Sequence, residues 1–161
     1  MVRLSKNFTI QEFTKSQTAI RQGLDNNPSP IHLQNAKMLF AHVVQPVRDH
    51  FGLTVINSGY RGPALNEAVG GSSKSQHCKG EAVDIECPGT ANYDVANFIK
   101  ENLEFDQLIL EFYTPGIPDS GWVHVSYNEK GVNRKQVLTF DGKKYENGLP
   151  EMKWKDGQVV E

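Results

Sequence analysis

The sequence predicts an α+β fold in which an antiparallel sheet carries the functional site and helices close to the N-terminus flank that sheet. The first observation is an apolar pattern at helical spacing through residues 33–51. The second is a series of short segments after residue 81 in which apolar and polar residues alternate, as in half-buried strands. Helices early in a chain and strands late in it are typical of α+β proteins.

Capping signals predict where the helices begin and end. Residues 9–12, TIQE, have the form of a capping box, in which the threonine and the glutamate each satisfy a backbone donor of the other. Ser29 and Pro30 suit the N-cap and the first position of a long helix. Pro46 predicts a kink in that helix because proline lacks a backbone donor, and Gly52 is expected to end it. Shorter helices are predicted at 63–69 and 91–103.

Three of the predicted strands each carry one ionisable residue on the face opposite the one that packs on the core. Alternation turns Asp84, Glu111 and His124 away from the apolar face of their strands. If these strands are neighbours, the three side chains converge on one surface, which His77 can reach from the adjoining loop. The predicted strands are 54–57, 81–86, 108–113, 122–127 and 136–140.

Length and charge exclude several classes of protein. The chain has 161 residues, of which 38% are hydrophobic, and this predicts one domain over 1–161 with one modest core. A formal net charge of −2 without a basic block gives no support for nucleic-acid binding. No apolar segment approaches the roughly 20 residues that span a bilayer, so membrane insertion is not expected. The two cysteines, Cys78 and Cys87, are interpreted as free thiols.

Two histidines and one carboxylate form a normal catalytic zinc set, because three protein ligands leave the fourth position of a tetrahedral ion open. His77, Asp84 and His124 are the candidates. A carboxylate outside that ligand set can then act as general base, and Glu111 is the candidate for it. The spacing of His77 and Asp84 alone is a weak signal, since a buried aspartate is more often structural.

Three motifs carry a family resemblance. The segments SGYRGPALN at 58–66, SQHCKGEAVD at 75–84 and GWVHVSY at 121–127 closely resemble the zinc D-alanyl-D-alanine carboxypeptidase and L-alanyl-D-glutamate endopeptidase family. The resemblance covers about residues 7–140 and implies the hedgehog-like fold. It also implies hydrolysis of the peptide stems of bacterial peptidoglycan, as in many phage lysis enzymes.

The resemblance also implies roles for individual residues. His77, Asp84 and His124 would hold one Zn²⁺ per chain, and Arg61 would meet the substrate carbonyl or carboxylate, a role that suits its planar donor fork. Several relatives place the general base at the position of Gly121 in this chain, which leaves Glu111 as the predicted base and Asp119 as its rival. Ser75 matches the small hydroxyl residue two positions before the first ligand. Apart from the resemblance, Trp122 is a candidate for the substrate site, with simple packing as the alternative.

Two other functions remain open at this point. One is a non-catalytic wall-binding or virion module of the same fold, and the other is a cysteine peptidase that uses Cys78 with His124. The bond that is cut is also open. Because the N-terminal segment MVRLSKNFTIQEF lacks the apolar region of a secretory signal, we expect a monomer that is made in the cytoplasm and meets the wall after release or within a virion.

Overall fold

The computed structural model describes residues 3–117 and 119–150, together with the backbone of 153–155 and 158–160. Its helices are α1 Ile10–Thr14, α2 Gln17–Gln22, α3 Pro30–Leu39, α4 Gln45–Phe51, α5 Pro63–Ala68 and α6 Asn92–Asn102. Its strands are β1 Arg3–Ser5, β2 Phe8–Thr9, β3 Val55–Ser58, β4 Ala82–Glu86, β5 Gln107–Glu111, β6 Trp122–Ser126, β7 Gln136–Phe140, β8 Tyr145–Asn147, β9 Lys153–Lys155 and β10 Gln158–Val160.

The central sheet has six strands in the order β3-β4-β6-β5-β7-β8. The predicted α+β class is confirmed, and β4, β6 and β5 are neighbours as the convergence of the site residues requires. One pair departs from the antiparallel pattern, because β7 lies parallel to β5. Both edges of β6 are occupied, by β4 and β5. The chain therefore crosses from β6 to the free edge of β5, and β7 runs there in the same direction as β5.

One face of the sheet is covered by helices, and this face holds the core. The inward residues of β4 and β6, Val83, Ile85, Val123 and Val125, are fully buried in one cluster with apolar side chains of α3, α4 and α6. The alternate residues Asp84 and His124 therefore face the opposite side of the sheet, where they line a cleft. This arrangement confirms the alternation predicted from the sequence and leaves a polar surface for the site.

Most of the predicted helix boundaries are confirmed. Thr9 and Glu12 form the capping box at the start of α1. Gly52, with φ of 88°, follows the end of α4. Between α3 and α4 the helix passes through a π-helical turn at Phe40–Val44, just before Pro46. The irregularity that the proline predicted thus takes the form of a wider turn. Among the described residues, no helix is both long enough and apolar enough to cross a bilayer.

Candidate metal centre

His77, Asp84 and His124 lie together in a cleft on the face of the sheet opposite the main core. Asp84 and His124 are directly opposite each other on the paired strands β4 and β6. The Nδ1 atom of His124 is 2.9 Å from Oδ1 of Asp84, and the Nε2 atom of His77 is 3.4 Å from the same oxygen. One ligand atom from each residue lies within 4.8 Å of the others, so the three side chains can share one metal ion.

His77 is held by its own loop in an orientation that suits a ligand. It lies in a 3-10 turn, Gln76–Lys79, which Ser75 caps by accepting a hydrogen bond from the backbone N–H of His77. The ring nitrogen Nδ1 is 2.8 Å from the carbonyl oxygen of Gly59. Because a carbonyl oxygen can only accept, Nδ1 carries a proton, and Nε2, which faces Asp84, offers a lone pair to a metal whenever the ring is neutral. Such a partner behind a histidine is usual in metal sites.

The charge of Asp84 also fits a cation. Burial alone would raise the pKa of Asp84, but hydrogen bonds from His124 and His77 hold the pKa well below its ordinary value. The carboxylate is therefore ionised at neutral pH. A divalent cation can bind between this carboxylate and the two ring nitrogens that face it, because neutral imidazole nitrogens and a carboxylate oxygen are ordinary zinc ligands. The donor set therefore fits zinc.

Glu111 and Asp119 differ in their relation to the triad. Glu111 ends β5 opposite Trp122 and lines the same cleft of about 700 Å³ as His77, Asp84 and His124. Burial raises the pKa of Glu111, a change that the nearby His124 partly offsets. Asp119 is exposed and is not among the residues that line this cleft.

Arg61, Ser75 and Trp122 line the cleft as well. The Nη2 atom of Arg61 donates a hydrogen bond of 3.3 Å to Oγ of Ser75. The Nε atom of Arg61 is buried and has no hydrogen-bond partner among the described residues. Trp122 stacks on Phe112, with 5.0 Å between the ring centres.

Most of the chain, including the triad, is similar to a known family of proteins. A profile of the peptidase M15 family matches residues 6–126, which include all three members of the triad. The chain belongs to the peptidase M15 family. Membership supports a metallopeptidase, which agrees with the His-Asp-His group on the sheet. A comparison with curated proteins gave no match.

Gly121 directly precedes β6 and has a backbone conformation that suits only glycine. Its φ is 68°, in the left-handed region, and an added Cβ would lie 1.7 Å from the carbonyl oxygen of Glu111. Such a distance is far inside van der Waals contact, so the backbone here excludes any side chain. The position therefore cannot hold an acid, and the predicted general base has to come from elsewhere in the cleft.

We expect Gly121→Ala to disturb both strands that flank the cleft. The added methyl would push β6 away from the carbonyl oxygens of Glu111 and Phe112, and the left-handed φ adds roughly 1–2 kcal/mol of strain. The expected result is a loss of more than about 3 kcal/mol in the free energy of unfolding, measured by urea denaturation. Gly116→Ala is the matched control, because it has a similar φ of 85° and open space around it. Equal losses in the two variants would contradict the steric explanation.

The surroundings of Cys78 do not resemble those of a reactive thiol. The thiol is partly buried, and burial raises its pKa, although Arg61 and Lys79 oppose that change. A nucleophilic cysteine needs a lowered pKa. Cys78 and Cys87 are both free thiols, as predicted. The structure therefore gives no support to a cysteine peptidase that uses Cys78.

Two groups of residues around the site gave no recognisable signal in the sequence. Asn92, at the start of α6, donates to the carbonyl oxygens of Asp119, Ser120 and Gly121 at 2.9–3.2 Å, and so fixes the turn that leads into β6. The second group is an ion pair between Asp106 and Arg134, which Gln76 joins. Both groups depend on residues about 30 positions apart, and no local spacing reveals such contacts.

Proposed function

We propose that this protein is a zinc metallopeptidase that hydrolyses peptide bonds in the stem peptides of bacterial peptidoglycan. The observation that carries the proposal is the triad of His77, Asp84 and His124 in an open cleft that also contains Glu111. Membership of the peptidase M15 family supports the same chemistry. Both carboxypeptidase and endopeptidase activities agree with the sequence motifs.

Each residue of the cleft has a separate task in this proposal. A zinc ion bound by the triad would supply a Lewis acid and lower the pKa of a coordinated water to about 7. Glu111 accepts the proton of the attacking water and passes it to the leaving amine. Burial raises the pKa of Glu111 and so brings that pKa closer to neutral pH, which favours both accepting and releasing the proton.

Arg61 stabilises the charge that develops on the substrate. Its guanidinium lines the cleft and can donate to the carbonyl oxygen of the scissile bond as that oxygen becomes negative. The hydrogen bond to Ser75 holds the guanidinium while this happens. Trp122 contributes an aromatic surface beside Glu111 on which an apolar part of the substrate can pack.

We propose that the protein acts on the cell wall, outside the cytoplasm. Peptidoglycan lies outside the cytoplasm, so the protein would reach its substrate after release through a pore or as part of a virion. The proposed partners are therefore the stem peptides alone, with no nucleic acid and no membrane insertion, and the proposed state is a monomer.

Digestion of purified muropeptides tests the function. We expect one zinc per chain by elemental analysis, hydrolysis products whose masses identify the bond that is cut, and complete loss of hydrolysis with a chelator. Zinc should restore the activity of the chelated protein. Activity that resists the chelator and is lost on thiol alkylation would favour Cys78 instead. A zinc-loaded protein that binds muropeptides and cuts none of them would favour the non-catalytic wall-binding module.

A further inference from the structure

The guanidinium of Arg134 lies in the same cleft as the triad and shows one free edge. Its Nε and Nη2 atoms each donate a 3.0 Å hydrogen bond to one oxygen of Asp106. Among the described residues, the two carboxylate oxygens of Asp106 are the acceptors of the Arg134 guanidinium. The side chain of Arg134 is 55% exposed. A guanidinium has five N–H donors, so the edge formed by Nη1 and Nη2 remains available to a second planar acceptor.

Asp106 holds Arg134 rigidly toward the cleft. Asp106 is only 4% exposed, and it also accepts hydrogen bonds from the backbone N–H of Arg134 and from Nε2 of Gln76. Gln76 directly precedes His77 in the 3-10 turn, so the ion pair is joined to the loop of the predicted metal ligand. A guanidinium fixed in this way loses little conformational freedom when it binds a ligand.

The register of the sheet gives an approximate distance along β5 between Asp106, the partner of Arg134, and the triad. Ile109 of β5 pairs with His124, and Asp106 lies three positions before Ile109. At about 3.3 Å per residue, the ion pair is roughly 10 Å along the strand from the triad. Glu111 lies two positions beyond Ile109, on the opposite side of the triad. An extended substrate that passes the metal would therefore reach Arg134 two to three residues from the bond that is cut.

We propose that Arg134 binds a carboxylate of the peptide substrate at this distance from the scissile bond, with Asp106 as its positioning residue. The proposal rests on the peptidase function proposed above and narrows its substrate to peptides with an acidic group at that place. The free edge of the guanidinium matches a carboxylate in a bidentate pair. Asp106 and Glu81 also line the cleft, and their negative charges favour a single carboxylate over a dianionic phosphate.

Calorimetry with two forms of one stem peptide tests the proposal. The peptide is prepared with free carboxyl groups and with the same groups converted to carboxamides. Binding is measured in the Glu111→Gln background, in which turnover is expected to be slower by about 10² to 10⁴. We expect Arg134→Gln to weaken binding of the carboxylate form about ten- to a hundredfold and to leave the carboxamide form unchanged. Lys135→Gln is the matched control, because Lys135 pairs with Glu104 at 3.7 Å and does not line the cleft.

The two forms of the peptide separate ligand binding from loss of structure. If Arg134→Gln weakens both forms equally, or neither form, Arg134 serves only the structure of the connection to β7 and the proposal is wrong. Thermal unfolding of Arg134→Gln and Arg134→Lys shows whether the variants are folded, and Arg134→Lys should restore part of the preference through its charge. Hydrolysis by the wild-type protein is scored separately. Its absence would contradict the peptidase function, while carboxylate-dependent binding through Arg134 would still support the subsite.

Discussion

Asp84→Asn is expected to remove zinc binding and activity together. The carboxylate of Asp84 is the shared partner of His77 and His124, at 3.4 Å and 2.9 Å from their ring nitrogens. An amide has the same size but no charge, so it cannot balance a divalent cation held between two histidines. Substitution of a residue that hydrogen-bonds to a metal ligand typically lowers metal affinity roughly 10–100-fold. Asp84→Asn changes a predicted ligand itself, so its loss of zinc affinity should be larger. Elemental analysis and competition with a chelator measure it.

The control for this change is Asp49→Asn. Asp49 is an exposed carboxylate on α4 that accepts a hydrogen bond of 2.9 Å from Gln45, and it does not line the cleft. The variant should keep both zinc and activity. If Asp84→Asn retained one zinc per chain with wild-type affinity, the three residues would not be the ligand set, and the metal would have to be sought elsewhere.

The face of the sheet that carries the candidate site could be predicted from the sequence, because successive side chains of a strand point to opposite faces. Val83, Ile85, Val123 and Val125 alternate with Asp84 and His124, so the burial of the apolar set decides where the polar set points. That reasoning needs no knowledge of distant contacts. The pairing of β4 with β6 is a contact between distant segments. The residue pattern could not predict it, whereas the family motifs indicated that Asp84 and His124 lie together.

Contacts between distant segments explain what the sequence did not predict. The parallel placement of β7 depends on which sheet edge is free, a property of the assembled sheet. The turn at Gly121 is held by Asn92, 29 positions earlier, and its need for glycine comes from the carbonyl oxygen of Glu111. The predicted strand at 108–113 ends at Glu111 because Phe112 has φ of 51°, outside the extended region.

Glu111→Gln is expected to keep the fold and the zinc and to lose about 10² to 10⁴ in turnover, the usual contribution of a positioned acid–base group. The glutamine has the shape of the glutamate but cannot accept a proton from water. Because Glu111 ends β5 in register with Trp122 of β6, the backbone holds the carboxylate in the cleft and the substitution should leave its position unchanged. Rate constants for muropeptide hydrolysis, with zinc content and thermal unfolding measured on the same samples, give the result.

Asp119→Asn is the comparison that decides the identity of the base. Asp119 is exposed, lies outside the lining of the cleft, and follows a loop with Pro115 and Gly116. Its backbone is tied to Asn92 through the carbonyl oxygen, which holds the main chain and leaves the carboxylate in solvent. A general base has to lie within hydrogen-bond reach of the proton that it accepts, so Asp119→Asn should lose less than about tenfold in turnover. If Asp119→Asn were inactive while Glu111→Gln kept both zinc and wild-type turnover, the loop would carry the base and the assignment to Glu111 would be wrong.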